Sequence, residues 1–367
     1  MTPQEKLAWL RLIRSDNVGP ITFYRLIDRF GSAAAALDAL PDLAKRGGRM
    51  GMVKPFEQSR AEDEMAALNK YGATLIARDE AAYPPLLAEI EDAPPLLTVM
   101  GHAALLSKPS LAVVGARNAS LAGRRIADDF SRKVSQAGYV ITSGLARGID
   151  TAAHLAALPH AGTVAVVAGG IDVIYPPENE KLYRTIAEQG AIVAESPFHT
   201  EPLARHFPRR NRIVSGLSLG VLIVEAAMKS GSLITARMAA EQNRDVFAVP
   251  GSPLDPRAEG TNQLIADGAH MARSADDILA ELRSLTHRPL RETPAPRFYP
   301  APSAPVMVAA NDSVTDSILE ILSPTPIDLD TIIRAIKAPP GDVLTIILEL
   351  ELAGRIERQP GNKVNLI

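Results

Sequence analysis

The sequence predicts an α/β protein: a Rossmann-like, doubly wound, mostly parallel sheet with a small all-α domain before it and a winged-helix-like domain after it. Three observations predict this. From residue 111 onward, six short apolar runs alternate with amphipathic segments of helical spacing. Strands apolar on both faces and separated by helices belong to a parallel sheet covered on both sides. Residues 1–70 instead carry apolar positions at helical spacing, and after a proline-dense stretch the chain closes with three helical segments and a hairpin pattern.

At 367 residues, with 46% hydrophobic and 22% charged positions, the chain suits a soluble protein of two or three domains. We divide it into a helical domain at 1–70, a Rossmann-like domain at 71–286, a Pro-rich linker at 287–311 and a winged-helix-like domain at 312–367. The absence of cysteine excludes disulfides, thiolate nucleophiles and Cys-ligated metals. A net charge of −3 argues against a surface basic all over, and leaves room for one basic groove. The longest apolar runs, such as TVAVVAGG, are too short to span a bilayer. We therefore expect a cytoplasmic protein with no membrane partner.

The elements follow in order. Helical spacing marks EKLAWLRLIRS, ITFYRLIDRFGS and EDEMAALNKYG in the first domain. The strands are LAVVGA, YVITSG, TVAVVAG, AIVAES, GVLIVEA and DVFAVPG. Between them lie the helices RRIADDFSRKVSQAG, IDTAAHLAAL, ENEKLYRTIAEQG, RIVSGLS and SLITARMAAEQN. The tail reads VTDSILEIL, DLDTIIRAIK and GDVLTIILELELAG as helices, then RIERQPGNKVNLI as a hairpin.

Ligands on such sheets gather at the carboxyl ends of the strands. The first strand end, VGARNAS, offers Gly115 and Arg117, yet it lacks G-x-G-x-x-G and the second strand ends in Ser143-Gly144 rather than an acid, which speaks against a dinucleotide. SGLARGID, with Ser143, Gly144, Arg147 and Gly148, reads either as an anion cradle at a helix start or as a plain tight turn. VEAAMKSGSLITA supplies Lys229, Ser230, Gly231 and Ser232 as a second oxyanion cradle without the nucleotide-binding P-loop pattern. FPRRNRIVSGLS places Phe207, Arg209, Arg210, Asn211 and Arg212 together, with no acid between Glu201 and Glu225. Several cations beside several backbone-donor turns suit a ligand with many phosphates, so a nucleic-acid backbone fits better than a single nucleotide. No acid–base pair stands at these ends and the seven histidines lack ligand spacing, so we expect a non-enzyme with no metal and no cofactor.

VGARNAS, SGLARGID, FPRRNRIVSGLS, VEAAMKSGSLITA and VFAVPGS, in this order, resemble the DNA-processing protein A (DprA, or Smf) family over about residues 92–285. The resemblance implies a bacterial protein with an extended Rossmann fold that binds and protects single-stranded DNA during natural transformation. It also implies a homodimer that loads RecA onto DNA coated by single-strand-binding protein. The DNA contacts it implies are Gly115, Arg117, Lys181, Phe207, Arg210, Asn211, Arg212 and Lys229, with Arg210 and Arg212 on phosphates and Phe207 stacked on an unpaired base.

The flanks add two expectations. DNVGPITFYRLIDRFGS resembles a helix-hairpin-helix or SAM-like module, with a plain helical bundle as the open alternative. Residues 341–354 hold Asp342, Glu349 and Glu351 but no Lys or Arg, so this third helix is ill suited to a DNA groove and points to protein contact or autoregulation. Two rival functions stand beside single-strand binding. One is a duplex regulator working through the winged helix; the other is a phosphoribohydrolase-like nucleotide enzyme, whose motif glutamate is here Leu264 or Ile265.

Overall fold

The computed structural model describes residues 1–48, 54–286, 312–336, 338–359 and 361–367; the stretch 287–311, read above as a linker, lies outside the described residues. Contacts divide the chain into two units. One comprises Met1–Asp63, Glu91–Pro95 and Glu292–Ile367, the other Glu64–Ile90 and Leu96–Arg291.

The chain opens with four helices, α1 (Pro3–Arg14), α2 (Pro20–Phe30), α3 (Ala33–Arg46) and α4 (Gln58–Tyr71). Start and stop signals are visible in the sequence. Thr2 and Glu5 cap α1 reciprocally, Pro20 opens α2, and Gly31 ends it at φ +77°. Helix α3 runs through Pro41. It survives because Leu37, Leu40, Leu43 and Ala44 bury one face of it.

Next come β1 (Ala73–Ala77), α5 (Pro85–Ala88), β2 (Leu96–Gly101), β3 (Ser110–Val114), α6 (Leu121–Gln136), β4 (Val140–Ser143), α7 (Ile149–Ala157), β5 (Thr163–Val167) and α8 (Glu180–Gln189). They are followed by β6 (Ala191–Ala194), α9 (His206–Gly216), β7 (Gly220–Ile223), α10 (Gly231–Glu241), β8 (Asp245–Ala248), α11 (Glu259–Ala266), β9 (His270–Met271) and α12 (Ala275–Thr286). Among the described residues the sheet has nine strands in the order β1-β2-β6-β5-β4-β3-β7-β8-β9. Pairing is parallel from β6 through β9. It is antiparallel where β1 and β2 extend that edge.

Strands β3 to β7 are buried at every position, as expected for a sheet covered on both faces. Phe130 and Val134 of α6 and Ala153 and Ala157 of α7 pack with Ile278 and Leu282 of α12 into one core with Leu111, Ile141 and Leu222. The strand order reverses between β3 and β7, and a doubly wound sheet opens its crevice at such a reversal. The loops after these two strands therefore flank the candidate site.

The C-terminal segment is a winged helix of α13 (Asp312–Ile321), β10 (Ile327–Asp328), α14 (Leu329–Ala335), α15 (Pro340–Leu352), β11 (Ile356–Gln359) and β12 (Lys363–Leu366). Its three strands pair antiparallel in the order β10-β12-β11. Ile318, Leu322, Ile332, Val343, Ile347, Leu350 and Val364 form its core.

Candidate functional site

At the carboxyl edge two of the protein's own carboxylates occupy donors, one at the start of α6 and one in the loop that leads into α7. Glu225, just after β7, accepts from the Ser120 N–H at 2.9 Å and from its hydroxyl, at the mouth of α6. A Cβ on Gly123 would meet the same carboxylate at 2.5 Å. Asp150, in the first turn of α7, accepts from the N–H groups of Gly144 at 3.1 Å and Ala146 at 3.2 Å. An anion at the α6 start would need that positive end, where Glu225 already stands, whereas Asp150 takes loop N–H groups ahead of α7. The first position is where a dinucleotide pyrophosphate would lie.

In the SGLARGID turn several donors are engaged within the protein. Gly144 gives its N–H to Asp150, and the Ser143 hydroxyl donates to the Val113 carbonyl at 2.6 Å. Gly148 serves close packing: at φ +81°, a Cβ there would lie 2.4 Å from the Ala116 carbonyl oxygen and 2.5 Å from that of Arg117. Gly115 likewise has Ile149 2.7 Å from where a Cβ would sit. The KSGS turn is more open. Ser230 caps α10, accepting from the Ser232 N–H at 3.3 Å, and Ser230, Gly231 and Ser232 all line a cavity.

The arginine-rich segment starts its helix earlier than the sequence reading placed it. Helix α9 begins at His206, earlier than the RIVSGLS segment read from the sequence, so FPRR lies inside its first turns. Its arginines separate by helical phase. Arg209 is exposed, whereas Arg210 and Arg212 are each only 7% exposed. Arg210 donates to the carbonyls of Gly144 and Val166 and, through Nε, to the Asn211 side chain at 3.1 Å. Burial pushes its guanidinium down to about 10, partly offset by Asp150, so it stays a cation at neutral pH. Burial in turn raises the Asp150 carboxyl against the pull of Arg210. Arg212 pairs with Glu195. Neither side chain is the exposed cation that the sequence suggested. A guanidinium with several carbonyl or carboxylate partners can be buried without leaving donors unmade.

At the surface stands a different group. The Arg117 guanidinium lies over the Phe207 ring at 4.9 Å, a cation–π contact, and the Tyr175 ring tilts against the same phenyl at 5.7 Å. Tyr175 is 43% exposed. The Phe207–Arg117 pair borders two cavities. One of about 210 Å³ is walled by Tyr175, Val167, Val173, Pro176 and Arg147, and Arg147 pairs there with Glu178 at 3.4 Å. The other, of about 240 Å³, is walled by Gly115, Asn211 and the Ser230–Ser232 turn.

The structure therefore brings together Gly115, Arg117, Gly144, Arg147, Phe207, Arg210, Asn211 and Ser230–Ser232. Lys181 and Arg209 are exposed and line neither cavity, while Lys229 lines a separate one with Arg237 and Gln263. Sequence reasoning missed Tyr175. An aromatic before two prolines in IDVIYPPEN, on the loop after β5, was the available signal.

Comparison with known proteins bears on what this edge is for. The family described as DNA recombination-mediator protein A matches residues 74–283. The chain belongs to that family. On its flanks, the DprA-like N-terminal HHH domain matches residues 3–67 and the DprA winged helix domain residues 300–362. Protein Smf of Escherichia coli strain K12 is 41% identical over 313 residues, covering 85% of this chain and 82% of its own. The X-ray structure of DNA processing protein A from Streptococcus pneumoniae has a TM-score of 0.64 at 36% identity and covers 76% of this chain and 98% of its own. A Helicobacter pylori DNA processing protein A structure, which addresses the single-stranded DNA binding mode of that protein, has a TM-score of 0.53 at 30% identity and covers 58% of this chain and 96% of its own.

Proposed function

We propose that this family member binds single-stranded DNA in the strand-end crevice without sequence preference. The carrying observation is the Tyr175–Phe207–Arg117 group at the mouth of two cavities. An unpaired base has a π-face that an aromatic platform accepts whatever the sequence, at about 1–3 kcal/mol per base. Arg117, Arg147 and the Ser230–Ser232 turn supply cations and donors for the backbone between bases. In this reading Arg210 and Arg212 hold the platform in place, and phosphates meet Arg117 and Arg147. Lys181, Arg209 and Lys229 extend the positive field along the strand's path.

Membership in a family described as DNA recombination-mediator protein A is the support for the further reading, that the bound strand is protected and handed to RecA in natural transformation. The strand would carry single-strand-binding protein at that point, and the loader would act as a homodimer. Among the described residues no helix is long and apolar enough to cross a membrane.

Fluorescence anisotropy with labelled oligothymidylate and a duplex of equal length tests the core of the proposal. Single strands should bind more tightly, and log affinity should fall linearly with log salt at about −0.7 per phosphate contacted. Arg117→Ala should lose about one such contact. Affinity indifferent to salt, or equal for both forms, overturns the reading.

A further inference from the structure

The winged helix uses opposite sides of α15 for two purposes. Val343, Ile346, Ile347 and Leu350 face its own core. Leu348, Glu349 and Leu352 belong to the other side, yet they are buried at 4%, 3% and 0%. That side packs on α3 of the N-terminal helical domain, within the same compact unit. The approach is backbone to backbone: a Cβ on Gly47 would lie 1.9 Å from the Glu349 carbonyl oxygen and 2.8 Å from the Ala353 Cβ. Asn17 closes the end of the contact by donating to the Leu352 carbonyl at 3.0 Å.

Charge follows the same contact. Arg46 reaches Glu349 at 3.8 Å, and Arg29 lies beside the same helix, donating to the Thr345 hydroxyl at 3.5 Å. Glu351 accepts from the Thr22 hydroxyl at 2.6 Å and lies 3.6 Å from Arg358 of the wing, and Arg25 donates to the Asn362 side chain of the wing at 3.5 Å. The helical domain thus turns Arg25, Arg29 and Arg46, from α2 and α3, toward two carboxylates on a helix that has no cation of its own.

We propose that Arg25, Arg29 and Arg46 form a second polyanion-binding face, for a nucleic-acid backbone, and that α15 covers it by standing its carboxylates where phosphates would lie. A helix-hairpin-helix with cations on its second and third helices has the charge to take a backbone non-specifically. The buried acids of α15 are the counter-charge that closes this face in the resting chain. The inference concerns a face distinct from the strand-end crevice, so it stands or falls apart from the function proposed above.

The test uses the full chain. Gly47 has φ −68°, an ordinary value for any residue, so Gly47→Leu adds a wedge at the contact without straining α3. Because the collision is with backbone, α15 must move. A second variant, Glu349→Gln with Glu351→Gln and Arg358→Met, removes the covering charges together with the buried cation that Glu351 pairs. Hydrogen exchange should show α3 and α15 losing protection together in the wedge variant, with β3 to β8 unchanged. Binding of a labelled duplex at about 50 mM salt should rise about tenfold in both variants, measured in an Arg117→Ala, Phe207→Ala background so that any crevice contribution is held low. Adding Arg25→Gln and Arg29→Gln should abolish the rise. No rise in either variant overturns the proposal, as does a rise that persists without Arg25 and Arg29.

Discussion

Replacing Arg210 with Met separates a buried strut from a DNA contact. Its side chain donates to two main-chain carbonyls and offsets the buried charge of Asp150. Removing one partner of a buried pair typically costs about 3–5 kcal/mol, because the other charge stays behind without compensation. For a unit of this size each kcal/mol lowers Tm by about 2–4 °C, so the expected loss is roughly 6–20 °C. The pH dependence carries the diagnosis. Burial already raises the Asp150 carboxyl, and loss of the cation raises it further. A carboxyl whose folded pKa lies above its unfolded one stabilises the fold at low pH and loses that contribution as pH rises through the folded value. The gap between variant and wild type should therefore narrow on going from about pH 7.5 to about pH 5. Calorimetric melts at both pH values read the stability, and salt titration of single-strand binding by the folded variant should keep the wild-type slope. A variant that melts with wild type and loses one phosphate contact from the slope refutes the reasoning and returns Arg210 to the DNA.

Phe207→Ala should weaken oligothymidylate binding by about 1–3 kcal/mol while leaving the salt slope unchanged, since stacking releases no counterions; a slope that falls with the affinity counts against a stacking role. His154 is buried, bonds Thr163 at 2.7 Å and is pushed down to about 3 by burial, with Arg210 adding to the effect. A base depressed in the folded state takes its proton only on unfolding. Stability should therefore drop as pH falls from about 6.5 toward 3, by up to about 1.4 kcal/mol per pH unit. His154→Gln should flatten that dependence in pH-stepped urea melts, and an unaltered pH profile contradicts the assignment.

Much of the architecture is local and was legible. Strands β3 to β8 announce themselves because each is a short apolar run bounded by Gly or polar residues, which a buried parallel strand requires. Other elements have no such local mark. β9 is two exposed residues, His270 and Met271, whose strand character exists only because β8 lies alongside. β1 and β2 were not read as strands, since ATLIA and LLTVMG show no helix alternation around them and earn their pairing from the edge of β6. Helix α3 was obscured by Pro41, whose local penalty is overcome by the buried leucines on either side.

The sequence by itself determined the fold class, the family, and the gathering of glycine turns and cations at one end of a parallel sheet, because these depend on periodicity and on residue types at strand ends. Which cations face outward was decided by tertiary structure alone. Arg209, Arg210 and Arg212 look alike in the chain, but helix phase turns one to solvent and two inward, toward partners at Gly144, Val166 and Glu195 that other loops and strands deliver. The same holds for Glu225, which reaches the cap residue of α6 only once the sheet sets its loop beside that helix. An arginine or a carboxylate carries no local signal of its burial. That depends on whether distant segments bring the hydrogen-bond partners that make burial affordable in free energy.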